Sequence, residues 1–119
     1  MSTFWGYHLI LDCSKCNDSI KDKSTIDQFV RQLVKDIDMV AHGDPIIEYL
    51  TPTEDNSGYS LMQMIMTSNI TAHFVDSNNS AYIDVFSCKE FDNDTVIKIV
   101  NKFFSPGKIR TTFITRHAD

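Results

Sequence analysis

An α+β fold, a two-layer sandwich in which an antiparallel sheet carries two helices on one face, is predicted by three features of the sequence. Two stretches repeat apolar residues at spacings of three and four, six short segments have strand-like composition, and the connections between the middle segments are hairpin-short. At 119 residues, with 42% hydrophobic residues and only four Gly and three Pro, residues 1–119 suffice for a single domain with a small core and leave no room for a second.

Tyr7 to Cys13 reads as the first strand, and the polar stretch Asp18 to Lys23 as a loop. From Ser24, Ile26, Phe29, Val30, Leu33, Val34 and Ile37 fall on one helical face. Ser24 is the expected N-cap, Asp27 complements the helix dipole, and the helix should end near Met39, before Gly43 and Pro45. Ile46 to Leu50 forms a second strand, and Thr51 to Gly58 is dense in turn formers. Tyr59 to Met66, Asn69 to Val75 and Ala81 to Cys88 are three further strands, separated by Thr67-Ser68 and by Ser77-Asn78-Asn79-Ser80. Asp92 caps a second helix with Val96, Ile99, Val100 and Phe103 on its inner face; Pro106-Gly107 stops it, and Ile109 to Thr115 is the last strand. Met62, Met64 and Met66 alternate along one strand, so they point together either into the core or onto the sheet face that the helices leave uncovered. In the second case a partner subunit would cover them.

Composition narrows function by exclusion. Eleven basic against sixteen acidic residues give a net charge of −5, and no Lys/Arg stripe could track phosphates, so nucleic acid is not an expected partner. No apolar run approaches the roughly 20 residues that span a bilayer, and the N-terminus lacks the order of a signal peptide, so a cytoplasmic protein without membrane contact is expected. Cys13, Cys16 and Cys88 make an odd count, which fits a reducing compartment. Cys13-Ser-Lys-Cys16 has C-x-x-C spacing, but nothing completes a tetrahedral zinc site and no clear helix follows to activate a thiol. No metal is expected. Of the four histidines, only His73 sits among small hydroxyl residues: Ser60, Thr67, Ser68, Thr71 and Ser87. A serine with a histidine nearby suggests nucleophilic catalysis, and a histidine inside an amphipathic strand also serves structure; the residues alone leave both open.

The stretches Ser57-Gly58-Tyr59-Ser60, Ser68-Asn69-Ile70-Thr71-Ala72-His73 and Tyr82-Ile83-Asp84-Val85-Phe86-Ser87-Cys88, together with Gly6-Tyr7-His8-Leu9, resemble the small prokaryotic-type S-adenosylmethionine decarboxylase proenzymes. The resemblance covers most of the chain. Its force lies in the spacings, eight positions from Ser60 to Ser68, five from Ser68 to His73 and fifteen from His73 to Cys88. It implies a fold of that family, a homodimer with pooled sheets, and the small molecule S-adenosylmethionine as substrate. It also implies self-cleavage between Thr67 and Ser68 into residues 1–67 and 68–119, with a covalent pyruvoyl group made from Ser68. In that chemistry Ser68 attacks the Thr67 carbonyl, His73 takes the serine α-proton so that the ester eliminates, and Ser60 assists. The pyruvoyl carbonyl then serves as an electron sink for decarboxylation, and Cys88 returns a proton to the substrate. Asp12 falls where the family often carries an acid on the first strand.

The chain departs from the family pattern in two places. Thr67-Ser68-Asn69 stands where Glu-Ser-His is common, and Asp76-Ser77 stands where Pro-Glu is common, its glutamate holding the ribose hydroxyls. Asp76 and Ser77 are therefore candidate substrate-binding residues with altered chemistry. Three alternatives stay open: decarboxylation of S-adenosylmethionine for spermidine synthesis, decarboxylation of ornithine or arginine by the same chemistry, and an unprocessed, non-catalytic homologue that binds S-adenosylmethionine or a partner.

Overall fold

Nine residues of alternating burial open the computed structural model, which describes residues 4–119. This first strand, β1 (Gly6–Ser14), is followed by α1 (Lys23–Asp36), β2 (Ile46–Leu50), β3 (Gly58–Ile65), β4 (Ser68–Val75), β5 (Ser80–Ser87), α2 (Asn93–Phe104) and β6 (Lys108–Arg116). The strands form one sheet in the order β2-β3-β4-β5-β1-β6, with every neighbouring pair antiparallel. The predicted α+β sandwich and its element order stand.

The core lies between the helices and one face of the sheet. Ile26, Phe29, Val30 and Leu33 of α1 and Val96, Val100 and Phe104 of α2 bury against Leu9, Leu11, Leu61, Ile70, Ala72, Phe74, Ile83 and Val85. Phe104 meets Phe29 and Phe74 at ring-centroid distances of 4.8 and 5.2 Å, and it takes the central place that the sequence assigned to Phe103. Gly58 opens β3 where only glycine fits, because a Cβ there would lie 1.9 Å from the Phe74 carbonyl oxygen.

Both helices begin with one device. Asp22 accepts from the Ser24 N–H and the Thr25 hydroxyl, and Asp92 accepts from the Asp94 N–H and the Thr95 hydroxyl. The first cap is therefore Asp22 rather than Ser24, because its carboxylate takes two donors at once, and Asp18–Lys21 forms a 3-10 turn within the expected loop. Helix α1 stops at Asp36, three residues early. Ile37 and Met39 still reach the core from the turn that follows, which is why the apolar pattern runs past the helix. Helix α2 ends at Ser105, in the left-handed conformation at φ 42°, its N–H bonded to the Asn101 carbonyl. Among the described residues no helix is long and apolar enough to cross a membrane.

Among the described residues no helix lies over the other sheet face. Leu61, Gln63 and Ile65 turn inward, so Met62 and Met64 point outward, and Met66 in the following turn is exposed with them. The methionine row belongs to the open face.

Candidate functional site

Antiparallel register carries residues of one face across the sheet in lateral rows. One row on the open face reads Glu48, Ser60, His73, Tyr82, Asp12 and Arg110. Ser60 and His73 are direct partners on β3 and β4, and Ser60 Oγ lies 2.9 Å from His73 Nδ1, a hydrogen bond that fixes the imidazole plane. Asp12 lies two strands further along the row and lines an open hollow of about 200 Å³ with Tyr82, Lys108 and Arg110.

Thr67, Ser68 and Cys88 meet elsewhere, at the β3–β4 turn. Met66-Thr67 is a two-residue connection closed by the pair Ile65 and Ser68. Neither turn residue has the positive φ of the favoured two-residue hairpins, and Ser68 takes φ 155° instead, in a region of the map that is essentially glycine's own. The distortion sits on the residue after the Thr67–Ser68 peptide bond. The Cys88 backbone N–H donates to the Thr67 carbonyl at 2.9 Å, and the fully buried Ser87 donates its hydroxyl to Thr67 Oγ1 at 2.7 Å and accepts from the Lys89 N–H. The Cys88 side chain is exposed. A donor on a carbonyl oxygen polarises it toward nucleophilic attack and stabilises the oxyanion that attack creates.

The two groups of residues are not brought together within one chain. Five residues of extended strand separate Ser68 from His73, about 17 Å at ~3.4 Å per residue, far beyond hydrogen-bond reach. Asp76 and Ser77 lie at the far end of β4 and are held locally. Asp76 accepts from the Tyr49 hydroxyl at 2.7 Å, its other carboxylate oxygen is buried with no hydrogen-bond partner among the described residues, and Ser77 donates to the Asp55 carbonyl at 2.7 Å. The bond to Asp76 pushes the Tyr49 phenol pKa up from its ordinary value.

Sequence reasoning missed three features. His8 Nε2 contacts Asp84 Oδ1 at 2.9 Å on the open face, and the imidazole lies against the Phe86 ring at a centroid distance of 5.5 Å. An open hollow of about 360 Å³ is lined by Trp5, Phe86, Arg116, His117, Ala118 and Asp119, with the Arg116 guanidinium 5.0 Å from the Phe86 ring centroid. Tyr82 stands beside His73 in the lateral row. The period-two pattern of β5 held the signal for Phe86 and Tyr82, since both alternate with buried residues. The C-x-x-C pair is core: Cys13 and Cys16 are buried, which pushes their thiol pKa values up to about 12 and about 11. Among the described residues no group of three or more His, Cys, Asp and Glu could hold a metal ion.

Comparison with known proteins follows the same line. The sequence profile of the family described as S-adenosylmethionine decarboxylase matches residues 7–117. No curated protein matches the chain. Among solved structures, the chain is similar to the adenosylmethionine decarboxylase of Aquifex aeolicus, with a TM-score of 0.82 at 17% identity, covering 99% of this chain and 95% of that one. At that identity the likeness is one of fold.

Proposed function

The chain belongs to the S-adenosylmethionine decarboxylase family, and from that premise we propose that it is a self-processing pyruvoyl enzyme whose active site is completed by a second copy of the chain. The observation that carries this reading is the division of the candidate residues. Ser68 and the donor to its neighbouring carbonyl lie at one turn, and the Ser60–His73 pair lies about 17 Å away on an uncovered face. A base so placed cannot take a proton from Ser68 of its own chain. It can serve a second copy whose β3–β4 turn comes down on that face, and by two-fold symmetry the exchange is mutual. Exposed Ile46, Met62, Met64 and Ile114 on the same face supply apolar area for such a dimer.

Within the composite site the roles follow from position. Ser68 Oγ attacks the Thr67 carbonyl carbon, and the Cys88 N–H stabilises the oxyanion as the peptide bond gives way to an ester. His73 of the facing copy, held by Ser60, removes the Ser68 α-proton, elimination breaks the ester to free the Thr67 carboxylate and leaves a dehydroalanyl residue, and water then hydrolyses its imine tautomer with loss of the Ser68 nitrogen as ammonia. The residues present fit the pyruvoyl group, since a serine follows a polarised carbonyl at a distorted, partly accessible turn. The group supplies an electron sink for loss of carbon dioxide. The Cys88 thiol, exposed beside the new N-terminus, is placed to return a proton to the substrate. The Trp5–Phe86 hollow offers aromatic walls to a nucleoside, and this favours S-adenosylmethionine. Its decarboxylated product would serve as an aminopropyl donor for spermidine synthesis in the cytoplasm. Asp12 faces the same site across the sheet.

A second reading, decarboxylation of ornithine or arginine, is favoured by one observation: the Ser77 hydroxyl is engaged by the Asp55 carbonyl, and Asp76 is tied to the Tyr49 hydroxyl with its second oxygen buried, so neither presents an exposed group to ribose hydroxyls. Intact-mass spectrometry of the denatured protein, followed by carbon dioxide release assays on the three amino acids, tests both. Two chains, 1–67 and a pyruvoyl-bearing 68–119, with turnover of S-adenosylmethionine alone support the first reading, and turnover of ornithine or arginine instead supports the second. One unbroken, inactive chain leaves a binding protein.

A further inference from the structure

We propose that Tyr82 contacts the substrate, its phenol donating a hydrogen bond to the carboxylate of the amino acid on which the site acts; this rests on the composite decarboxylase reading above. Tyr82 is the direct cross-strand partner of His73, on the flank opposite Ser60. Opposed residues of an antiparallel pair carry their Cβ atoms about 5 Å apart, and a tyrosine reaches further from the sheet than an imidazole. Ser60 engages His73 Nδ1, so the outward nitrogen, Nε2, and the Tyr82 phenol border one space.

Tyr82 is 44% exposed, yet it sits in the middle of the face that a second copy is proposed to cover. Among the described residues its hydroxyl has no hydrogen-bond partner and its ring stacks on no other aromatic side chain. A phenol covered by an interface needs a partner for its O–H, and here the molecule arriving at His73 can supply one. The electrostatics select which end arrives. Lys108 and Arg110 line the hollow beside Tyr82 and form no ion pair among the described residues, against the single carboxylate of Asp12. Of the other carboxylates on this face, Asp84 is paired with His8 and Glu48 stands on the edge strand β2, so the balance within the hollow is positive and favours an anion; in an amino-acid substrate that anion is the α-carboxylate, the group next to the carbon at which bonds change.

Such a bond is made in the bound substrate and given up as the carboxylate leaves as carbon dioxide, so it contributes to binding rather than to the chemical step. Replacing Tyr82→Phe removes only the hydroxyl. The expected result is normal self-cleavage, a KM for S-adenosylmethionine raised about tenfold, and a kcat that does not fall. Calorimetric binding of S-adenosylmethionine to the unprocessed Ser68→Ala protein, with and without Tyr82→Phe, reads the same contact without turnover and should show a similar weakening. A KM and an affinity both unchanged by Tyr82→Phe overturn the proposal, as does a kcat that drops with KM constant, which would move the phenol into the chemical step. If the wild-type chain neither cleaves nor turns over, the decarboxylase reading fails, and the calorimetric comparison still decides whether Tyr82 meets the ligand.

Discussion

Mixing two inactive variants tests the composite site directly. On the proposed mechanism His73→Ala lacks the base and Ser68→Ala lacks the nucleophile, so either protein alone should stay uncleaved. In one chain Ser68 and His73 are five residues apart on β4, about 17 Å, and no side-chain rotation closes that gap. If Ser68 of one copy works with His73 of the other, a mixed dimer contains one complete site, made of Ser68 from the His73→Ala chain and His73 from the Ser68→Ala chain. Its second site lacks both groups. Random pairing of equal amounts puts about half of each chain into mixed dimers, so about half of the His73→Ala chains, and none of the Ser68→Ala chains, should be cut between Thr67 and Ser68. Co-expression with distinguishable tags and intact-mass measurement of each chain provide the assay. If the mixture remains uncut while wild-type protein cleaves, both residues act from one chain, the β4 strand must rearrange to bring them together, and the geometric argument is wrong.

Two further outcomes follow from local features. The φ of 155° at Ser68 favours glycine, so Ser68→Gly should exceed Ser68→Ala in denaturant stability by about 1 kcal/mol, both being uncleavable; equal stability would mean that the turn relaxes without strain. Burial holds the Cys13 and Cys16 thiols at about 12 and about 11, above the ordinary value of 9.0, so the unfolded chain releases these protons first. Their contribution to stability is complete below pH 9 and is lost as pH rises through 11 to 12, by at most about 1.4 kcal/mol per pH unit for each thiol. The Cys13→Ala, Cys16→Ala double variant should lose stability less steeply than wild type above pH 9, and parallel curves in urea titrations would refute the assignment.

Hydrophobic periodicity was enough to read the layers, because each helix and strand buries one face and the repeats of 3.6 and 2 residues report it. It misplaced the start of α1, since Asp22 and Ser24 are both good caps and only the geometry shows which carboxylate reaches two donors. It left the Met62, Met64 and Met66 row undecided, because a strand with apolar residues on both faces carries no sign telling which face the helices cover. At the site, the family resemblance picked out Ser60, Ser68, His73 and Cys88, but linear spacing does not encode that Ser60 and His73 lie on the uncovered sheet face, apart from the turn that holds the other two. His8–Asp84 and Tyr82 escaped notice for a related reason. Their significance comes from cross-strand neighbours 76 and nine positions away, and the β1–β5 and β4–β5 registers become visible only after folding.

The position of the Thr67–Ser68 bond also decides what cleavage does to the fold. Cutting there gives 1–67 the strands β1, β2 and β3 with α1, and gives 68–119 the strands β4, β5 and β6 with α2. In the sheet order β2-β3-β4-β5-β1-β6 the fragments interleave: β3–β4, β5–β1 and β1–β6 join different fragments, whereas only β2–β3 and β4–β5 join strands of one. Strand β1 lies between two strands of the other piece, and Phe29 of the first fragment meets Phe104 of the second in the core. Neither fragment can bury its apolar face alone, because three of the five strand pairings and the helix-to-helix contact would be lost on separation. The cleaved protein should therefore elute from a sizing column at the volume of the uncleaved Ser68→Ala variant, and the two pieces should part only at denaturant concentrations that also abolish the circular-dichroism signal of the sheet. Release of 68–119 under native conditions would show that the pairings across the cut are weaker than their number implies, and the turn would then be a site of disassembly rather than one where a bond can break inside an intact domain.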